Sequence, residues 1–289
     1  MKKITLLLVL AFCTFMLVNA QEVVVNAQED GDGEFVSKRG INILPEAGDI
    51  GLGVNAIPIV NYFGNTFNGT ANNSAQFNFT DAANTIYAKY FLDDASAIRI
   101  KFRYATGKVT NLEYIMQDSI PVPDPLVVVE DKETVANTNI AIGLGYEIRR
   151  GHGRVQGFYG GEFMFTCTSG NTNYEYGNPY SVDFTNPPTT NFGTNLTATG
   201  RVMKRKAGKT IGFGVGGFIG VEYFFAPKMS VGGEFGYGLG LTKTGDGEAT
   251  EEQWTGTELI EETIKTGGGN TWGLDTDNAF GAIFLMFHF

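Results

Sequence analysis

The chain has 289 residues, of which 31 are acidic and 21 basic, so its formal net charge is −10. Such an acidic surface repels phosphates, which argues against a protein that binds nucleic acid. The 39 glycines and 23 phenylalanines, at a mean hydropathy of −0.06, favour many short strands over helices.

The first 20 residues have the features of a secretory signal peptide. Lys2 and Lys3 form a basic start, an apolar run extends from Ile4 to Val18, and small residues end the segment. The run is shorter than the roughly 20 residues that a spanning helix needs. We expect residues 1–20 to be removed, which leaves 19 basic against 31 acidic side chains and a single cysteine, Cys167, unable to form an internal disulfide.

Eight segments after this leader alternate in the two-residue period of a strand, with an apolar row on one face. They lie at about 49–62, 84–93, 98–104, 138–148, 155–166, 211–225, 229–241 and 275–289. In the third segment, for example, Ile98, Ile100 and Phe102 alternate with Arg99 and Lys101. An outward apolar row on every strand would promote aggregation in water, but a bilayer requires it.

The lengths of the connections predict how the strands are arranged. Residues 93–96, 150–153 and 226–228 are short enough for tight turns, whereas 61–84, 107–135, 169–209 and 243–274 are long. Short periplasmic turns alternating with long outer loops are typical of outer-membrane barrels. The sequence therefore predicts an all-β protein, an eight-stranded antiparallel up-and-down transmembrane β-barrel over residues 48–289, preceded by a periplasmic segment, 21–47. The expected location is the outer membrane of a Gram-negative bacterium.

The chain ends on an aromatic residue. Leu285, Phe287 and Phe289 occupy alternate positions of the last predicted strand. An aromatic at the end of an outward row suits the periplasmic interface. These three residues resemble the signal by which the barrel-insertion machinery recognises outer-membrane proteins during biogenesis.

Residues 38–64 read KRGINILPEAGDIGLGVNAIPIVNYFG. They resemble the start of a Bacteroidota-type family of outer-membrane β-barrel proteins, of the small OmpA/OmpX-like kind. The residues that carry the resemblance are Ile43 to Asp49, Leu52, Gly53, Ala56, Pro58, Tyr62 and Gly64. The resemblance implies fold and location, and little about activity.

Charged residues at the inward positions predict a polar interior. An eight-stranded barrel is just wide enough for its own side chains to fill it, so inward charges must find partners. The predicted set is Lys89, Arg99, Lys101, Arg103, Glu147, Arg149, Glu162, Glu222 and Glu234. Such a network is either a structural plug or the lining of a narrow ion path.

The two histidines give no sign of a catalytic site. His152 lies in a predicted periplasmic turn and His288 at the chain end, far from the outer rim where barrel enzymes place their catalytic residues. Cys167 lies on the predicted lipid face, which is unsuited to metal binding. The sequence thus predicts no enzymatic activity, no metal and no cofactor.

The long connections hold the candidate binding residues. A basic cluster at the outer end of the sixth predicted strand, suited to phosphates of lipopolysaccharide, comprises Arg201, Lys204, Arg205, Lys206 and Lys209. The 169–209 connection also contains several aromatic residues, which favours either recognition of a protein partner or strands that continue above the membrane.

We predict a membrane anchor with a surface-interaction role in contact with outer-membrane lipid. The alternatives are an accessory subunit of a larger outer-membrane assembly or uptake complex, and a narrow pore.

Overall fold

The computed structural model describes residues 37, 42–56, 86–118, 124–151, 153–275 and 282–289. Among these residues, no helix is long and apolar enough to cross a membrane. The described part of the chain forms twelve strands: β1 (Ile50–Asn55), β2 (Ile86–Asp93), β3 (Ser96–Met116), β4 (Val128–Arg150), β5 (Val155–Glu175), β6 (Gly200–Lys206), β7 (Thr210–Ala226), β8 (Met229–Thr244), β9 (Gly247–Trp254), β10 (Leu259–Thr266), β11 (Gly269–Asp275) and β12 (Ala282–His288).

Eight of these strands close into a ring. β1, β2, β3, β4, β5, β7, β8 and β12 pair antiparallel in this order, and β12 pairs back with β1 through Leu52 and Phe287. β2 ends at Asp93, and its carboxylate accepts hydrogen bonds from Ala95 and Ser96 in the turn to β3. The predicted fold is confirmed: the chain is an eight-stranded antiparallel up-and-down transmembrane β-barrel.

An apolar belt covers the outside of the ring. Outward side chains such as Leu144 and Ile219 are 56% and 64% exposed. Cross-strand partners share a face of the sheet. The upper edge of the belt follows four directly paired residues on four strands, Tyr104, Ile140, Cys167 and Ile211. A continuous outward band of this kind fits the apolar core of a bilayer.

The strands continue above the belt, where the sequence predicted long loops. β3 and β4 stay paired as far as Met116 and Val128, so most of the 107–135 connection is strand. The 169–209 and 243–274 connections contain β6, β9, β10 and β11, and β6 pairs with both β5 and β9. The upper parts of β3 and β4 and the strands β6, β9 and β10 mix polar and apolar residues on both faces, so they lack the one-sided apolar row that predicts the other strands. β11 returns to the level of the belt, where Trp272 and Leu274 pair with Leu241 and Leu239 of β8. The 61–84 connection lies outside the described residues.

Glycines mark the level at which the barrel passes into the sheet above the belt. β6 continues into β7, β8 into β9 and β10 into β11, with short breaks at about the same height. A Cβ on Gly208 would lie 1.9 Å from the carbonyl oxygen of Gly245, and one on Gly268 would lie 2.1 Å from that of Thr244. Because real Cβ atoms do not approach this closely, the sheet can bend here only with glycine.

The segment before β1 packs against the end of the barrel that carries the short turns, which is the predicted periplasmic end. Ile43 is buried, and its carbonyl accepts a hydrogen bond of 3.1 Å from the backbone of Lys228 in the β7–β8 turn. The Lys228 ammonium pairs with Asp49. Burial by itself would raise the pKa of Asp49, but hydrogen bonds from Lys228 and from the backbone of Glu46 hold that pKa below its ordinary value.

Candidate functional site

Inward charges on β2, β4 and β7 form a cluster near the periplasmic end of the barrel. The Lys89 ammonium lies 2.9 Å from Glu147 and 3.2 Å from Glu222. The Arg149 guanidinium lies 2.8 Å from the same two carboxylates. All four side chains are at most 3% exposed, so each charge is stabilised by its partners rather than by water.

A second cluster lies beside the first, on β3, β5 and β8. Arg99 contacts Glu234 at 2.7 Å and Glu162 at 3.2 Å. Lys101 contacts the same two carboxylates at 2.8 and 3.0 Å. A contact of 3.4 Å between Arg99 and Glu147 joins the clusters. The structure thus brings eight of the nine predicted charges into one network, four of each sign.

The ninth residue, Arg103, is also buried, on the same face of β3 as Arg99 and Lys101. It lies two residues closer to the extracellular end than Lys101. The balanced part of the network therefore occupies the periplasmic side of the interior, with one further positive side chain above it.

Aromatic side chains fill the space around these charges. The Arg99 guanidinium lies 3.9 Å from the ring centre of Phe218, and the Lys89 ammonium lies 4.6 Å from that of Phe158. The buried inward residues of this layer are Tyr87, Phe91, Phe158, Phe218, Phe224, Phe284 and Met286. Charges and rings together form a plug, by which we mean this layer and the eight-charge network.

His288 and Ser230 belong to the plug, although they were not among the predicted site residues. His288 Nε2 lies 3.4 Å from the Glu222 carboxylate and 3.2 Å from the Ser230 hydroxyl, which donates to Glu222. His288 shares the inward face of β12 with Phe284 and Met286. Because His288 is in step with Phe284 and Met286 in the sequence, the alternation of the last strand predicts that its imidazole points inward.

A second organised region lies beyond the apolar belt, at the end of the barrel opposite the short turns. We call it the extracellular module, after its predicted side of the membrane: the upper ends of β3, β4 and β5, the strands β6, β9 and β10, and the 176–199 segment. Asp131 at its centre is completely buried. Its carboxylate accepts hydrogen bonds of 2.8 and 2.7 Å from the backbone N–H groups of Gly177 and Thr190. This carboxylate holds both parts of the 176–199 segment against β4.

Two buried asparagines fix the same segment. The Asn178 amide donates to the carbonyls of Met116 and Pro188 and accepts from the backbone of Asp118. The Asn195 amide donates to the carbonyl of Thr190 at 2.7 Å. Because these buried polar groups are hydrogen-bonded, the segment is a folded part of the module and not a spacer.

Arg201 is a central side chain of the module. Its Nε donates to Glu252 at 2.6 Å and its Nη1 donates to Thr189 at 3.0 Å. The guanidinium also lies 4.2 Å from the ring centre of Tyr176 and 4.6 Å from that of Tyr180. Burial raises the pKa of Tyr176, whose hydroxyl donates to the carbonyl of Val202.

The structure separates the five residues of the predicted basic cluster. Arg201 is buried in the module, and Arg205 donates to the carbonyl of Thr194 at 2.7 Å. Lys204, Lys206 and Lys209 are exposed. The predicted contact with lipopolysaccharide can thus involve these three lysines, whereas Arg201 is engaged within the protein.

The chain end lies at the rim of the barrel that carries the short turns. Leu285 and Phe287 share the outward face of β12. Phe289 is 70% exposed, and its backbone exchanges two hydrogen bonds with Ile50 on β1.

Among the described residues, no group of three or more His, Cys, Asp or Glu could hold a metal ion. His152 lies outside the described residues.

The outer membrane protein OprG from Pseudomonas aeruginosa is similar over 86% of this chain and 98% of its own, at 11% sequence identity and a TM-score of 0.32. No protein-family model matches the sequence, and no curated protein matches it.

Proposed function

We propose that this protein is a non-enzymatic outer-membrane barrel that anchors a folded extracellular module for contacts at the cell surface. The plug is the observation that carries the proposal. Its eight charges are neutralised in pairs and surrounded by buried rings, so the interior supports a rigid anchor rather than a water-filled path. The organised part of the protein that faces water is the module.

The order within the module supports a role in recognition. A rigid scaffold that holds loops in one conformation lowers the entropic cost of binding. The buried side chains of Asp131, Asn178 and Arg201 hold the 176–199 segment in this way. The resemblance of residues 38–64 to a Bacteroidota-type family of outer-membrane barrels, OmpA/OmpX-like in size, is consistent with an anchor of this kind.

Labelling of single cysteines on intact cells tests the proposal. Leu126, 90% exposed at the tip between β3 and β4, and Asp94, in the β2–β3 turn, mark opposite ends of the molecule. In a Cys167→Ser background, we expect a membrane-impermeant maleimide to label Leu126→Cys on intact cells. Asp94→Cys should react only after the envelope is permeabilised. Equal labelling of both variants on intact cells would contradict the proposal.

A further inference from the structure

Lysines are concentrated on the outer surface just above the apolar belt. In the described part of the chain, six lysines face outward at this level, and all are exposed: Lys108, Lys204, Lys206, Lys209, Lys243 and Lys265. We call them the lysine girdle. They are contributed by β3, β6, β8, β10 and the bend before β7, so they are spread over residues 108–265 of the chain.

The strand register places most of the girdle in one row. Lys108 pairs with Ala136, Ala136 with Asn171, and Asn171 with Lys206. Lys206 and Lys265 both pair with Glu248. Directly paired residues share a face, and Asn171 lies on the face of β5 that carries Phe163 and Cys167. The row therefore faces outward across six strands.

The remaining members lie close to this row. Lys243 pairs with Ile211 at the upper edge of the belt, and Lys204 pairs with Asn173, two residues above Asn171. Lys209 precedes β7 at the bend. Among the described residues, the acidic side chains at this level are fewer, Glu248 and Asp246, although the protein as a whole carries an excess of acids.

The height of the row matches the headgroup region of a bilayer. Asn171, which is paired with Lys206, lies four residues above Cys167 at the edge of the belt. Four residues span about 13 Å along a strand, or about 9 Å along the membrane normal at a tilt near 45°. The headgroup region extends about 5–8 Å beyond the hydrocarbon on each side, and flexible lysine stems reach back towards it.

We propose that the lysine girdle binds the phosphate groups of glycolipids in the outer leaflet. This inference rests on the proposed outer-membrane location. It extends the predicted lipopolysaccharide contact beyond the basic cluster to Lys108, Lys243 and Lys265. Arg201 and Arg205 are not part of the lipid contact. Lysine ammonium groups would take the place of divalent cations beside the phosphates and tie the barrel to its neighbouring lipids.

Binding of lipid A to the purified barrel tests the girdle. We expect Lys206→Gln combined with Lys243→Gln to weaken the affinity for bisphosphorylated lipid A about tenfold. The matched control, Lys132→Gln combined with Arg150→Gln, removes one half-buried and one exposed charge outside the girdle and should bind like the wild type. Lipid A without its phosphates should bind the wild type as weakly as the double girdle variant binds the intact lipid.

Four outcomes would overturn the inference. Three of them are unchanged affinity in the girdle variant, equal loss in the control, and equal binding of lipid A with and without phosphates. Competition by millimolar inorganic phosphate would also overturn it, because it would indicate a site for free anions rather than for a lipid surface. A wild-type protein that fails to insert into bilayers would instead contradict the proposed function.

Discussion

The variant Glu222→Gln is expected to lower the free energy of unfolding of the barrel by about 3–5 kcal/mol. Glu222 is completely buried, pairs with Lys89 and Arg149, and accepts a hydrogen bond from Ser230. The neutral amide would leave two cations to share the Glu147 carboxylate in an interior that water does not reach. The measurement is urea unfolding in detergent. The folded fraction is monitored by the difference in electrophoretic mobility between the folded and the heat-unfolded barrel.

A matched control separates this effect from the loss of any carboxylate. Glu175 pairs with Lys132 at 3.0 Å, but it is 67% exposed on the outer surface. Such pairs contribute roughly 0–1 kcal/mol, so Glu175→Gln should unfold almost as the wild type does. If the two variants shifted unfolding equally, the plug would not stabilise the barrel in the way its contacts indicate.

The variant Arg201→Ala is expected to disorder the extracellular module and leave the barrel folded. It removes a buried cation from Glu252 and from the rings of Tyr176 and Tyr180. Loss of one member of a buried pair costs about 3 kcal/mol, which corresponds to about 100-fold faster proteolysis when cleavage follows local opening. Cleavage within residues 176–199 by an added protease is the measurement.

Arg205→Ala serves as the control for this prediction. Arg205 is exposed and donates one hydrogen bond, to the carbonyl of Thr194. Its removal should change the rate of cleavage by a few-fold, because a single exposed hydrogen bond contributes little. Equal protease resistance in both variants would show that Arg201 does not hold the module together.

The membrane part of the fold was predictable because each of its strands can be recognised from its own sequence. Each barrel strand must face lipid on one side and a filled interior on the other. The resulting two-residue alternation is visible in the sequence without knowledge of the neighbouring strands. The alternation of Ile98 to Phe102 with Arg99 and Lys101 is an example. The short turns were predictable for a related reason, since only a few residues separate the apolar rows there.

The extracellular sheet was not predictable in the same way. The upper parts of β3 and β4 place Thr106 beside Thr138, with their hydroxyls 3.2 Å apart, and similar polar pairs follow. Strands of this kind are held by cross-strand pairing, which a single segment does not display. The engagement of Arg201 with Glu252 likewise depends on two strands that are 51 residues apart in the chain.

Single-channel recording in planar lipid bilayers tests most directly whether the barrel is a closed anchor. With its interior occupied by the Lys89–Glu147 and Arg99–Glu234 pairs and their surrounding rings, the wild-type protein should insert without producing steady conductance steps. Insertion is verified separately by the heat-dependent mobility shift of the reconstituted protein. Reproducible conductance steps from inserted wild-type protein, altered in size by Glu222→Gln, would contradict the account and indicate a pore.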